Sequence, residues 1–259
     1  MKIVGLSDIH GLLLKPEDVP QCDVVCICGD IVPLDYQNDT IKSVSWFLLN
    51  FLPWTDKLRC DKVIFIGGNH DFFLENLHKR CAAYPPTNNC PECPGIPELM
   101  WRRPSDVMKR LLVGTHKGAS KLVYLCDNSY EYKGVTFYGT PWISDLQNWA
   151  FYKDDASLAK AYDNIPYTVD VLLTHMPSML NDTGMVRQNG CFNSWAQYGN
   201  TYLAKCITER NIKYALCGHV HSGNHHPELC GGTQVVNVSI KDEDYKRSYE
   251  PFEFEVFPH

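Results

Sequence analysis

Asp8 and His10, Asp30, the tripeptide Asn69-His70-Asp71, His175, and the pair His219 and His221 each follow directly on a short apolar run. Carboxylate, carboxamide oxygen and imidazole, without thiolate, form a donor set for divalent Mn, Fe, Co, Ni or Zn. Three oxygen donors (Asp8, Asp30, Asn69) and four imidazoles (His10, His175, His219, His221) are more than one ion can use, and they fit two. A carboxylate such as Asp30 bridging ions about 3.5–4 Å apart is the arrangement of two-metal hydrolases. His70 is placed to donate a proton, and Asp71 to fix its tautomer. Any one of these histidines alone reads as an ordinary satisfied side chain, whereas five strand-end motifs in succession point to a shared site.

The elements that must carry these residues are legible from hydrophobic spacing. Lys2–Leu6, Val24–Cys28 and Val63–Ile66 are near-continuously apolar and read as buried strands. Ile41, Val44, Leu48, Phe51 and Leu52 recur at helical spacing, which predicts an amphipathic helix over Thr40–Phe51 with Pro53 just past its end. A second helix is expected from Phe72 to Arg80. Strand, helix, strand with apolar strands predicts a parallel sheet whose C-terminal edge gathers the polar endings. In D-I-H and H-V-H, an extended backbone would put both outer residues on one face and the middle one in the core.

Further along, Lys121–Leu125 is a strand, and Tyr130–Tyr132 and Val135–Tyr138 flank Lys133-Gly134 as a hairpin. A helix over Asp155–Asn164, a strand over Val169–Leu173, a helix over Tyr202–Arg210 and strands at Lys213–Cys217, Thr233–Val238 and Phe252–Val256 complete the pattern. His225, His226 and His116 lie in loops and read as surface residues.

The chain has 259 residues, with no linker, repeat or low-complexity tract, so a single domain over 1–259 is expected. The net charge of −6 argues against a protein that neutralises nucleic-acid phosphates over a broad surface. No apolar run nears the ~20 residues of a membrane span. The start of the chain reads as a strand and not as a signal peptide, and Cys26, Cys28 and Cys217 read as reduced core residues, so a cytoplasmic location is expected. A Cys- and Pro-rich stretch at about 81–104 breaks the strand–helix rhythm and reads as an inserted loop. His78, Cys81, Cys90 and Cys93 have spacing that could hold a structural zinc, although free thiols in a loop are the commoner outcome.

D-I-H, G-D, G-N-H-D, T-H and G-H-V-H, in this order and spacing from Lys2 to about Val238, resemble the calcineurin-like metallophosphoesterases. The resemblance implies an α/β fold, a four-layer α/β-β/α sandwich of two mixed sheets flanked by helices. It implies Asp8, His10, Asp30 and His221 around one ion and Asp30, Asn69, His175 and His219 around the other. It also implies that His70 protonates the leaving oxygen and that Asp71, where the family more often has Glu, orients it. G-T-P-W (Gly139–Trp142), T-H-M-P (Thr174–Pro177), N-D-T-G, Gly190-Cys191, G-H-V-H-S-G and N-V-S (Asn237–Ser239) are similar to the small metallophosphoesterase-domain branch, which includes class III cyclic-nucleotide phosphodiesterases. Some members of that branch lack the last metal histidine, and this chain keeps His221.

The expected reaction is hydrolysis of a small phosphoester by in-line attack of a metal-bridged hydroxide, with His70 as general acid. Protein phosphatases of the superfamily carry arginines beside the G-D and G-N-H motifs. Here those positions read Ile31-Val32-Pro33 and Asp71-Phe72, which leans toward phosphodiesters, unless Arg187 or another loop residue supplies a clamp. Trp142, Trp149, Phe151 and Trp195 could stack a base, with ordinary packing the commoner role for each. Phosphomonoesterase, including phosphoprotein phosphatase, and nuclease activity are the alternatives. A non-catalytic scaffold is remote, because no ligand or acid has been lost.

Overall fold

The computed structural model describes residues 1–83, 121–144, 146–187 and 195–258. Two mixed sheets stack face to face. The first runs β13-β1-β2-β3-β4, built from β1 (Lys2–Leu6), β2 (Val24–Ile27), β3 (Lys62–Phe65), β4 (Leu122–Tyr124) and β13 (Phe252–Glu255). β1, β2, β3 and β4 are parallel, and β13 closes one edge antiparallel against β1. The second runs β11-β12-β10-β7-β6-β5, from β5 (Asn128–Tyr132), β6 (Val135–Thr140), β7 (Thr168–Thr174), β10 (Asn211–Cys217), β11 (Glu228–Cys230) and β12 (Thr233–Asn237). Its four central strands are parallel, and β5 and β11 are antiparallel edges. A separate hairpin pairs β8 (Met185–Arg187) with β9 (Trp195–Gln197).

The strand pleat divides the core. Ile3, Val24, Cys26, Ile64 and Val123 of one sheet meet Phe137, Val171, Leu173, Leu216 and Val236 of the other. Alternate residues, Val4, Leu6, Val25, Ile27, Val63 and Phe65, face outward into a second apolar cluster. That cluster includes the helical residues Phe47, Phe51, Trp54 and Leu74, beside the first sheet, and Leu158, Tyr162, Leu203 and Ile207, beside the second. Phe47 and Phe51 come from the turn that joins α1 (Thr40–Trp46) to α2 (Leu52–Lys57), and the others from α2, α3 (Phe72–Ala83), α4 (Asp155–Asp163) and α5 (Thr201–Glu209). Helix, sheet, sheet, helix is the four-layer sandwich. Gly5 lets the sheets approach, since an added Cβ there would lie 3.2 Å from Leu216 and Val238. Among the described residues no helix is long and apolar enough to cross a membrane.

Capping defines several helix starts. Asp39 accepts from Lys42 N at 3.0 Å, Asp154 from Ser157 N at 2.8 Å and Asn200 from Leu203 N at 3.0 Å. The helix expected over Thr40–Phe51 differs from the structure. It does not stop before Pro53 but passes through a π turn at Phe47–Phe51 into α2, with Pro53 in the first turn of α2. Proline lacks an N–H and crowds the preceding turn, and a π turn accommodates both. The extra residue rotates the buried face onto Ser43, Phe47 and Phe51, leaving Ile41 79% and Val44 39% exposed. The hairpin at Lys133-Gly134 forms as expected, with both residues at positive φ (48° and 77°).

Candidate metal centre

The site lies where the C-terminal ends of both parallel sheets meet. After β1 and β2 the chains continue side by side, through Asp8 N to Gly29 O (3.1 Å), His10 N to Asp30 O (2.9 Å) and Gly11 N to Ile31 O (2.9 Å). Gly218 N donates to His175 O at 3.0 Å and joins the two strand ends of the second sheet. A bridge between Ser7 and Ser239 ties β1 to the segment after β12.

The backbone here is not extended, which corrects the one-face expectation for D-I-H and H-V-H. Asp8 (φ 53°), His10 (φ 40°), Asp30 (φ 53°) and His219 (φ 71°) all adopt the left-handed conformation, preceded at Asp30 by Gly29 (φ 97°). Each such non-glycine residue costs of order 1–3 kcal/mol and persists where its surroundings over-determine it. The turns aim the polar side chains at a common centre, while Ile9 and Val220 stay buried.

Asp8, His10 and His221 place one donor atom each within 4.8 Å of one another; so do His10, Asp30 and His70, and so do Asp8, Asp30 and His175. The Asn69 carboxamide oxygen is 2.8 Å from both His175 Nε2 and His219 Nδ1. Asp30 is central: one carboxylate oxygen accepts from His70 N at 2.8 Å, and the other faces His175 Nε2 (3.5 Å), His10 Nε2 (3.6 Å) and His70 Nε2 (3.8 Å). Those separations are long for hydrogen bonds. The His175 and His10 separations match neighbouring donors sharing a cation, where bonds of about 2.1 Å to a tetrahedral ion give roughly 3.4 Å edges.

Two further features fit the residues to divalent cations. His10 is buried with neither ring nitrogen hydrogen-bonded, and burial, opposed by Asp30 and Asp8, lowers its pKa to about 4, so it is a neutral imidazole lacking a partner. His175 and His221 are oriented from behind, His175 Nδ1 donating to Cys28 O (2.7 Å) and His221 Nδ1 to Asp242 O (2.9 Å), which turns each Nε2 toward the carboxylates. Without metal, burial would depress both rings, but Asp30 at His175 and Asp8 at His221 raise each to about 9. Burial likewise opposes ionisation of Asp8 and Asp30. The surrounding histidines overcome it and hold both carboxyls below the usual carboxylate range.

Asp71 does not play the role expected of it. Its carboxylate accepts from Ile31 N (3.0 and 3.2 Å), Val32 N (3.2 Å) and Gly68 N (3.0 Å), and so braces the turns after β2 and β3. The partner of His70 Nδ1 is the side-chain oxygen of Gln37, a residue that no motif marks. Ser239, Glu243 and Tyr245 are also new to the site. The Ser239 hydroxyl donates to Asp8, Glu243 accepts from Ser222 N at 2.9 Å, and the Tyr245 ring lies 5.0 Å from His10 and 5.2 Å from His221. A cleft of about 200 Å³ opens over the centre, lined by Asp30, Asn69, His70 and His219 at the centre and by Trp149, Glu243 and Tyr245 at the walls.

Of the aromatics considered for stacking, Trp149 lies 4.5 Å from the His70 ring, Trp142 and Phe151 are buried core, and Trp195 is 57% exposed on β9. His225 is not a free surface residue, since it stacks on Tyr249 and Nε2 is bound to His221 O (2.9 Å). Cys90, Cys93, His116 and most of the Cys/Pro-rich stretch lie outside the described residues, as do the side chains of Cys81 and Arg187. The zinc expectation for His78, Cys81, Cys90 and Cys93 therefore falls outside the described residues, apart from His78. His78 itself packs edge-on against Trp142 and lies 3.4 Å from Cys126 Sγ.

The family model described as calcineurin-like phosphoesterase matches residues 1–223. Among curated proteins, UPF0046 protein C25E10.12 of Caenorhabditis elegans is 31% identical over 99% of this chain and 81% of its own length. UPF0046 protein T07D4.2 of the same organism is 27% identical over the whole chain, which spans 61% of that relative. Human metallophosphoesterase domain-containing protein 1 is 25% identical over 95% of this chain and 68% of its own. A solved structure at 14% identity superposes with a TM-score of 0.58 over 91% of this chain and 89% of the other. The phosphopantetheinyl hydrolase PptH from Mycobacterium tuberculosis does so at 0.50 and 15% identity, over 99% and 96%. Both likenesses concern the fold.

Proposed function

Since the chain belongs to the calcineurin-like phosphoesterase family, we propose that it hydrolyses phosphodiesters of small, nucleotide-type substrates with two divalent ions. In this reading Asp8, His10, Asp30 and His221 hold one ion and Asp30, Asn69, His175 and His219 the other. Bound there, the ions supply Lewis acidity toward the phosphoryl oxygens and acidify the attacking water. The chain's own groups do the rest. Cys28 O and Asp242 O hold His175 and His221 in the coordinating tautomer. Gln37 accepts from His70 Nδ1–H and holds the ring with Nε2 toward Asp30 and the cleft. The imidazolium form, protonated on both nitrogens, can then give its Nε2 proton to a departing alkoxide. Burial lowers the pKa of the ring, and the Asp30 charge opposes that. Trp149 and Tyr245 give the ester's organic groups two aromatic walls.

The observation that carries the diester reading is the lining of the cleft. Among the described residues it presents no lysine or arginine, and it does present Glu243. A monoester dianion gains most from a guanidinium or ammonium clamp and is repelled by a carboxylate, whereas a diester monoanion needs less compensation. Rates on bis-p-nitrophenyl phosphate and p-nitrophenyl phosphate, measured on protein of known metal content, test this. The expected result is a higher kcat/KM for the diester, and a monoester preference of tenfold or more would sink it.

A further inference from the structure

We propose that Cys22 and Cys60, at the edge of the first sheet opposite the metal centre, form a hydroperoxide-reactive dithiol that closes to a reversible disulfide. The geometry comes from the strand ladder. β2 and β3 pair in parallel from Val24 opposite Lys62, and continuing that register two residues back along both segments would set Cys22 against Cys60. Cys22 N donates to Arg59 O at 3.2 Å, the bond a parallel ladder makes when residues 22 and 60 are partners. Asp61 N and Lys62 N both donate to Asp23 O, at 2.9 and 3.2 Å, and hold the two segments together. Neighbouring strands run about 4.8 Å apart, inside the Cα separation that a disulfide spans. Both thiols are free, half-buried and packed against the same apolar cluster, so they are reachable without unfolding.

The surroundings divide the labour between the two sulfurs. Lys121 Nζ donates to Thr55 O (3.0 Å) and Leu58 O (2.7 Å), which fixes its ammonium beside Cys60. The carboxylates on this edge, Asp23 and Asp61, are both tied to Lys133 at 2.8 Å. A hydrogen bond from the Cys22 thiol, with Lys121 assisting against burial, holds Cys60 below the ordinary thiol range. The same hydrogen bond, with burial, pushes Cys22 up. With the Lys121 ammonium held beside it, Cys60 is the nucleophile and Cys22 the thiol that resolves it.

In the first step the Cys60 thiolate attacks a hydroperoxide oxygen, the O–O bond breaks, an S–O bond forms, and the departing oxide takes up a proton. In the second, Cys22 loses its proton and attacks the Cys60 sulfur. The S–S bond forms, the S–O bond breaks, and water leaves. Two thiols lose two electrons, and hydrogen peroxide becomes two waters. A small-molecule dithiol reverses the change. Because the pair sits roughly 25 Å of strand from Asp30, the bond is expected to brace the sheet and leave hydrolysis alone.

The test is exposure of the whole protein to graded hydrogen peroxide, then acid quenching, alkylation, non-reducing digestion and mass spectrometry. The expected product is a Cys22–Cys60 linked peptide pair, 2 Da lighter than the two thiols, formed before oxidation of Cys26, Cys28 or Cys217 and erased by dithiothreitol. The expected melting shift is upward by about 5–10 °C. In C22S, dimedone should label Cys60, while in C60S it should leave Cys22 largely unlabelled. Full alkylation of both cysteines after peroxide, or linkage of either to another cysteine instead, overturns the proposal. Equal dimedone labelling in the two variants overturns the assignment of Cys60 as nucleophile. The wild-type peptide map decides the pairing even if either variant fails to fold.

Discussion

Gln37 holds His70. The carboxamide oxygen of a residue thirty-three positions upstream accepts a hydrogen bond from Nδ1–H of the imidazole, and Nε2 points to Asp30, 3.8 Å away. A neutral amide in this place keeps Nδ1 protonated and the ring oriented, so that the second proton of the imidazolium sits on Nε2, without adding a charge beside a centre that already holds Asp8 and Asp30.

Replacing Gln37 by alanine should leave metal content intact and slow hydrolysis of alkyl esters by about tenfold or more, within the range general acids contribute. Turnover of p-nitrophenyl esters, whose leaving group needs no proton, should change little. Q37E, which keeps an acceptor at the same place, should recover part of the loss. An equal drop on both ester types in Q37A would mean that Gln37 only supports the fold.

The brace made by Asp71 predicts a stability effect instead of a catalytic one. Asp71→Ala leaves the buried amides of Ile31, Val32 and Gly68 without their acceptor. The expected cost is about 3 kcal/mol, from stranding buried donors, or a melting decrease of roughly 6–12 °C. Thermal melts of the metal-free protein check this. A stable Asp71→Ala variant with an altered His70 pH profile would contradict the structural role.

Metal affinity should climb with pH. In the metal-free protein His175 and His221 are raised to about 9, above the ordinary 6.5, so their charged forms are favoured below that value. That part of the metal-free fold's stability is complete below pH 6.5 and is lost as pH rises through about 9. A cation needs the neutral rings, so binding must release these protons, and each competes less as pH rises. Titration with Mn²⁺ or Zn²⁺ between pH 6.5 and 9 should show tighter binding at the alkaline end and proton release in weakly buffered solution. Saturating metal should also raise the melting temperature, by about 2.7 kcal/mol of stability at one hundred times Kd.

Gly68→Ala should abolish the site. A Cβ there would lie 2.5 Å from Asp30 N and 2.7 Å from His175 Cε1, with the Asp30 carboxylate closer still. The Asp30 contacts cannot yield without moving a residue that faces three histidine rings, and the third contact belongs to His175 itself. Overpacking typically costs 1–3 kcal/mol, and here the displaced groups are donors, so metal content should fall along with stability. Metal analysis after gel filtration measures it.

Sequence alone determined the strands and the residues that end them, because each is a local pattern: an apolar run such as Val24–Cys28, then a glycine, then a carboxylate. The gathering of those ends at one edge followed from parallel pairing, which strand–helix–strand order already implies. Tertiary structure decided the rest. Asp8, His10, Asp30 and His219 converge through left-handed turns and not along an extended strand, a conformation set by the close passage of neighbouring strand ends. Ile41 and Val44 do not form the buried face of α1 because the π turn before Pro53 shifts the helical register, and single-residue spacing does not record that shift. Asp71 lies next to His70 in sequence, yet it bonds to amides across the turn, while Gln37, distant in sequence, meets the ring. Composition and spacing carry the kind of donor a site holds. Which donor touches which is fixed only when two sheets pack, since contacts between remote segments depend on the path of every strand between them.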